Sequence, residues 1–139
     1  MSILVDTAVW SLALRRRQSA LNSKEREIVD ELKRIVRDGR ARMIGLIRQE
    51  LLSGLRNGAQ FEALRRDLRA FPDEPLLTED YEAAAEAHNA CRARGVAVST
   101  ADILICAVSI RRGWEVFTTD RDFSDQAKAV SVRLHSLGD

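Results

Sequence analysis

At 139 residues, with 45% hydrophobic and 31% charged side chains, the chain has the size and composition of one globular domain, residues 1–139, with a core of its own. A formal net charge of +1 excludes a protein that coats nucleic acid indiscriminately. No apolar run is long enough to cross a bilayer and no basic-then-apolar leader opens the chain, so a cytoplasmic location away from membranes is expected.

Ile3-Leu4-Val5 reads as a buried first strand that stops at Asp6-Thr7, and Ala8 to about Arg15 as a short helix with Val9, Trp10 and Leu12 turned inward. Asn22 and Glu25 have capping-box spacing and open a helix with an apolar stripe of Ile28, Leu32, Ile35 and Val36, closed by Gly39. Ala41 to Ile44 is a candidate second strand. The next helix carries Ile47, Leu51 and Leu55 at four-residue steps, with Glu50 beside that stripe. Asn57-Gly58 breaks the chain before a helix marked by Phe61, Leu64 and Leu68, and Pro75-Leu76-Leu77 connects to an alanine-rich helix that Thr78 caps and Gly95 ends. Ser99 caps a further helix with Asp102 in its first turn, an inner face of Ile103, Ala107 and Ile110, and Gly113 as its stop. Val116 to Thr118 reads as a strand running into Asp120, and Val130 to Leu134 as a last strand. This alternation predicts an α/β fold, an α/β/α sandwich around a small, mainly parallel sheet.

Cys91 and Cys106 lack metal-ligand spacing and read as reduced, packed thiols. His88 and His135, the only histidines, read as structural or surface residues. Of 22 basic residues only Lys24, Lys33 and Lys128 are lysine. Arginine's planar fork grips phosphate oxygens in pairs, although codon usage accounts for the bias equally well.

Asp6, Glu50, Asp102 and Asp120 each stand where an element begins or ends, or beside a buried face. Singly, each has a structural explanation. Asp102 can complete a capping box worth about 0.5–2 kcal/mol, Asp120 and Asp122 can brace a turn, and Glu50 can pair with an arginine. Asp6 is harder to explain this way, because an acid ending a buried strand must be met by something polar. In parallel sheets ligands gather at the carboxyl ends of strands, where Asp6 and Asp120 fall. Brought together, the acids would raise one another's pKa values unless a hard divalent cation joined them.

The ordered set Val5-Asp6-Thr7-Ala8-Val9-Trp10, Glu50-Leu51-Leu52-Ser53-Gly54, Ser99-Thr100-Ala101-Asp102 and Thr118-Thr119-Asp120-Arg121-Asp122-Phe123 resembles the PIN domain, in particular the VapC-type toxins of bacterial toxin–antitoxin pairs. The resemblance spans nearly the whole chain. It implies that Asp6, Glu50, Asp102 and Asp120 are the catalytic centre and bind one or two Mg²⁺ or Mn²⁺ ions, with Asp6 and Asp102 the firmest ligands. Thr7 and Thr118 are similar to the hydroxyl residues that support the cluster, and Asp122 to a lesser supporting acid. Thr119 departs from the asparagine many relatives carry, and Gly45 lies near a position where relatives often start the helix with a hydroxyl. Neither departure removes an acid.

The implied activity is metal-dependent hydrolysis of RNA phosphodiester bonds by a bacterial toxin. Its implied partners are RNA, a small cognate antitoxin, a second copy in a homodimer, and a toxin–antitoxin hetero-oligomer. Arg15, Arg16 and Arg17, and Arg69 with Arg65 and Arg66, are the arginines placed to track an RNA backbone. Two other readings stay open: a PIN-type nuclease with a housekeeping role in RNA processing, and a non-catalytic metal-binding regulatory domain. A dehalogenase-type phosphatase would need a second acid two residues after Asp6, where Ala8 stands.

Overall fold

The structure is a computed structural model that describes residues 1–137 apart from the side chain of Asp122. Strand β1 (Ile3–Val5) consists of three branched apolar residues, each 0% exposed, as a central strand covered on both faces requires. It pairs in parallel with β2 (Ala41–Arg42) on one side and with β3 (Glu115–Phe117) on the other, and β3 pairs in parallel with β4 (Arg133–Leu134). The strand order is β2-β1-β3-β4. The chain leaves β1 for one edge and later returns to β3 on the other side, so the crevice outside the carboxyl ends of β1 and β3 is a topological switch point.

Helix α1 (Thr7–Leu14) buries Val9, Trp10 and Leu12 as its spacing predicts. In α2 (Ser23–Arg37) the capping box forms: the Asn22 side chain accepts the Glu25 N–H at 2.8 Å and the Glu25 carboxylate accepts the Asn22 N–H at 3.0 Å. After α2 the chain turns through Gly39 at φ +71°, a left-handed conformation that glycine adopts without Cβ strain. Helices α3 (Gly45–Leu52) and α4 (Gly58–Leu68) follow, with Asn57 accepting the N–H groups of Ala59 and Gln60 at the start of α4. Then come α5 (Thr78–Ala93), α6 (Thr100–Arg112) and α7 (Asp122–Val130). α1 packs on α2 and α3, and α3 on α4; α5, α6 and α7 pack on one another. These two groups are the outer layers of the α/β/α sandwich.

Several expectations are corrected. The strand read as Ala41 to Ile44 pairs only at Ala41–Arg42, because Met43 and Ile44 leave the ladder to be buried at the entrance of α3. The strand read as Val130 to Leu134 keeps only Arg133–Leu134, since Val130 ends α7. Leu55 lies beyond the end of α3. Thr78 is the first residue of α5 and not its cap; Leu77 holds the cap position, and its N–H is accepted at 2.8 Å by the carboxylate of Asp80. Ile110 is 44% exposed, whereas every residue from Ile103 to Ser109 is buried, so α6 is a nearly all-round core helix with no single inner face.

Candidate functional site

Asp6 sits at the step from β1 into α1. It is 8% exposed, and both of its oxygens are held: Oδ1 accepts the Thr7 N–H at 2.8 Å and Oδ2 accepts the Thr118 hydroxyl at 2.8 Å. Thr118 follows β3 directly, and its oxygen in turn accepts the Asp120 N–H at 3.0 Å. The parallel register that sets Val5 beside Phe117 therefore delivers Asp6 and the Thr118–Asp120 turn to the same crevice. Glu50, near the end of α3, accepts the Thr7 hydroxyl at 2.7 Å across 43 residues of sequence. Two threonines thus tie three of the acids together, Thr7 between Asp6 and Glu50, Thr118 between Asp6 and Asp120.

Asp102 enters from the first turn of α6. The Ser99 oxygen accepts its N–H at 3.1 Å, and both the Ser99 hydroxyl and the Gln126 side chain hydrogen-bond its carboxylate. Burial pushes the Asp6 carboxyl above the ordinary aspartate value; the bonds from Thr118 and Thr7 oppose this, and the charges of Asp102 and Glu50 add to it. Burial likewise raises Asp102, against the Ser99 bond, and Asp120 and Glu50 raise it further. This mutual repulsion reports that all four acids face a shared space. Cys106, one turn beyond Asp102, is pushed up to about 12 by burial and by the charges of Asp102, Cys91 and Asp6, so it stays a neutral thiol. Cys91 and Cys106 are both buried and unbridged, as expected for packed thiols.

Among the described residues, no three His, Cys, Asp or Glu side chains already form a closed cage for an ion. The donor set is nonetheless of one kind: carboxylate oxygens, oriented by neutral donors, with no arginine or lysine bonded to Asp6 or Glu50 among the hydrogen bonds formed there. Such hard, anionic ligands suit Mg²⁺ or Mn²⁺ and not a soft, thiolate-seeking metal. Asp6, Glu50, Asp102 and Asp120 are the residues that could hold it. The Asp122 side chain lies outside the described residues.

The arginines are placed unevenly. Arg15 closes α1 and lines a groove of about 200 Å³ with Leu14, Leu55, Gln60 and Asp67. Arg16 pairs with Glu25 at 3.4 Å, and Arg17 is exposed before a short 3-10 turn. Arg65 bonds Glu62 at 2.5 Å, while Arg66 and Arg69 are exposed beside it. His135 is a structural residue: its ring nitrogens lie 2.7 Å from Glu31 and 3.0 Å from Glu115, tying β4 to α2 and β3. Gln126 had no place among the residues picked from sequence. Its signal was the spacing of Phe123, Gln126, Ala127 and Val130, a helical stripe with one amide in it, obscured because α7 had not been read as a helix.

A model of the PIN domain matches residues 3–129. The chain belongs to the PIN-domain family. Its curated relatives include Ribonuclease VapC11 of Mycobacterium tuberculosis and VapC ribonuclease Mb1587 of Mycobacterium bovis, each 30% identical over 97% of this chain and 98% of the relative. Among solved structures, FitAcB from Neisseria gonorrhoeae superposes with a TM-score of 0.77 at 22% identity, covering 96% of both chains. VapBC2 from Rickettsia felis, bound to a promoter DNA fragment, superposes at 0.74 and 13% identity over 99% of this chain and 100% of that one. These two likenesses bear on the fold.

Proposed function

We propose that this chain is an endoribonuclease toxin of the VapC type that hydrolyses RNA phosphodiester bonds with Mg²⁺ or Mn²⁺ held by Asp6, Glu50, Asp102 and Asp120. The observation that carries the reading is the meeting of four mutually repelling carboxylates at the carboxyl ends of β1 and β3, in a PIN-domain chain whose curated relatives are named VapC ribonucleases. A bound divalent cation supplies a water of lowered pKa and neutralises charge gathering on the phosphate oxygens. Asp6 and Asp102 are the main ligands, with Glu50 and Asp120 completing the set directly or through water.

The chain's own residues orient the site. Thr7 and Thr118 fix the carboxylates through neutral hydrogen bonds, so the acids keep their negative charge for the ion. Neither histidine belongs to the cluster: His135 is engaged with Glu31 and Glu115, and His88 lies in the middle of α5. Deprotonation of the attacking water therefore falls to groups among the acids. Arg15, Arg17 and Arg69 are exposed cations for the RNA backbone, with Arg16 partly spent on Glu25.

The proposed setting is the bacterial cytoplasm, where a small antitoxin restrains a homodimeric toxin within a hetero-oligomer. No helix among the described residues is long and apolar enough to cross a membrane. The test is cleavage of RNA by the purified chain with Mg²⁺, with Mn²⁺ and with excess chelator, alongside growth on induction without a partner. Cleavage that chelation stops, together with growth arrest, supports the reading. Cleavage without arrest favours a housekeeping nuclease, and no cleavage with either ion overturns it.

A further inference from the structure

Gln126 is 3% exposed on the inward stripe of α7, between Phe123 and Ala127, where an aliphatic side chain would fill the space without polar atoms. Its amide nitrogen donates to the Ala97 carbonyl at 3.4 Å and bonds the Asp102 carboxylate. An amide NH₂ has two protons to give, and both go to acceptors. The cost falls on the other end: among the described residues, Gln126 Oε1 is buried with no hydrogen-bond partner. An unsatisfied buried acceptor works against folding, so stability alone does not account for a glutamine here. Contact with Asp102 does.

The remaining acids show what such a contact is for. Asp6 is held by the Thr7 amide and the Thr118 hydroxyl, and Glu50 by the Thr7 hydroxyl. Asp102 has no threonine; its neutral donors are Ser99, on its own helix cap, and Gln126, from a different element. A lysine or arginine at position 126 would hold the carboxylate equally well but would cancel the charge a cation needs. Because α7 begins just after Asp120, the same side chain also couples the position of Asp102 to the turn that carries the fourth acid.

We propose that Gln126 is a positioning residue that fixes the Asp102 carboxylate for divalent-cation binding, an inference that rests on the proposed metal-dependent reading of this site. The test compares wild type with Gln126→Met in the full chain. Binding of Mn²⁺ alone is followed by electron paramagnetic resonance, and RNA cleavage is resolved into kcat and KM. Loss of an outer-shell donor typically costs about 10–100-fold in metal affinity or activity. Gln126→Met is therefore expected to weaken Mn²⁺ by that order and to lower kcat at subsaturating ion, while KM for RNA holds and the melting temperature is unchanged or higher.

Wild-type Mn²⁺ affinity and kcat in Gln126→Met would overturn the inference. If wild type itself neither binds Mn²⁺ nor cleaves RNA, the metal reading fails first, which keeps the two failures distinct. Should the methionine variant not fold, the side-chain amide NMR signals of Gln126 in otherwise native protein decide. Asp102→Asn shifts them if the bond exists, and unmoved signals reject it.

Discussion

Asp6 and Asp80 are both withdrawn from solvent, at 8% and 0% exposure, yet their surroundings move them in opposite directions. Asp80 is gripped by Arg112 at 2.7 and 2.9 Å and by Arg111 at 2.8 Å, and it caps Leu77. The Arg112 bonds, aided by Leu77 and Arg111, hold its carboxyl well below the usual range against the pull of burial. Asp6 meets only neutral donors and other acids, and burial leaves it raised. One acid is neutralised to join α5 to α6; the other is kept negative at the mouth of the sheet. The fold thus separates charge used as mortar from charge held in reserve, and the donor type, arginine or threonine, marks which is which.

The largest expected effect separates the two directly. Asp6→Asn or Asp102→Asn should reduce RNA cleavage by more than the roughly 10–100-fold typical of an outer-shell partner, with the fold intact by circular dichroism. Asp80→Asn should leave cleavage per folded molecule near wild type. It should also cost about 3 kcal/mol in urea unfolding, the low end for breaking a buried pair, because Arg111 is 37% exposed and partly screened. Thr118→Val removes both the donor to Asp6 and the acceptor of the Asp120 amide. Its cleavage should fall about 10–100-fold for a stability loss of only about 1 kcal/mol, which places Thr118 on the Asp6 side of the divide.

Smallest and most diagnostic is the response to pH in chelator, read as urea midpoints. Asp80 and Glu31 are lowered in the folded state, Glu31 by its bonds to His135 and Arg34 working against burial. Their contribution is complete above the unfolded carboxylate pKa of about 4 and is lost as pH falls through the folded values. Asp6 and Asp102 are raised, so keeping them ionised costs stability at neutral pH, and that cost is relieved as pH falls through their folded values. Asp6→Asn should therefore flatten the mild-acid part of the profile, and Asp80→Asn the steeper loss at lower pH.

What could be read beforehand follows the range of the interactions. The Asn22–Glu25 box, the Ser99 cap, the buried Ile3–Val5 strand and the left-handed Gly39 and Gly113 turns are decided within a few residues, and all appear. So do the acids at element ends. The Asp80 clamp spans 31 and 32 residues and the His135 bridge 104, and no local pattern announces either. Ile110 was assigned inward by period, but α6 is enclosed on nearly every side until its last turn, so period carries no information there. Val130 was given to a strand because β-branched residues favour strands; burial of Phe123 and Ala127 on the same stripe made it helical. Gln126 escaped for the same reason, although it contacts a candidate ligand.

The measurement that bears most directly on the reserve of charge is the melting temperature of wild type, Asp6→Asn and Asp80→Asn across a Mn²⁺ titration. A ligand that binds only the folded state adds about 2.7 kcal/mol at a hundred times its dissociation constant. Wild type and Asp80→Asn should rise in parallel from different starting points, while Asp6→Asn, starting no lower than wild type, should stay flat. A wild-type curve indifferent to Mn²⁺, or an Asp6→Asn curve that climbs with it, would contradict the account.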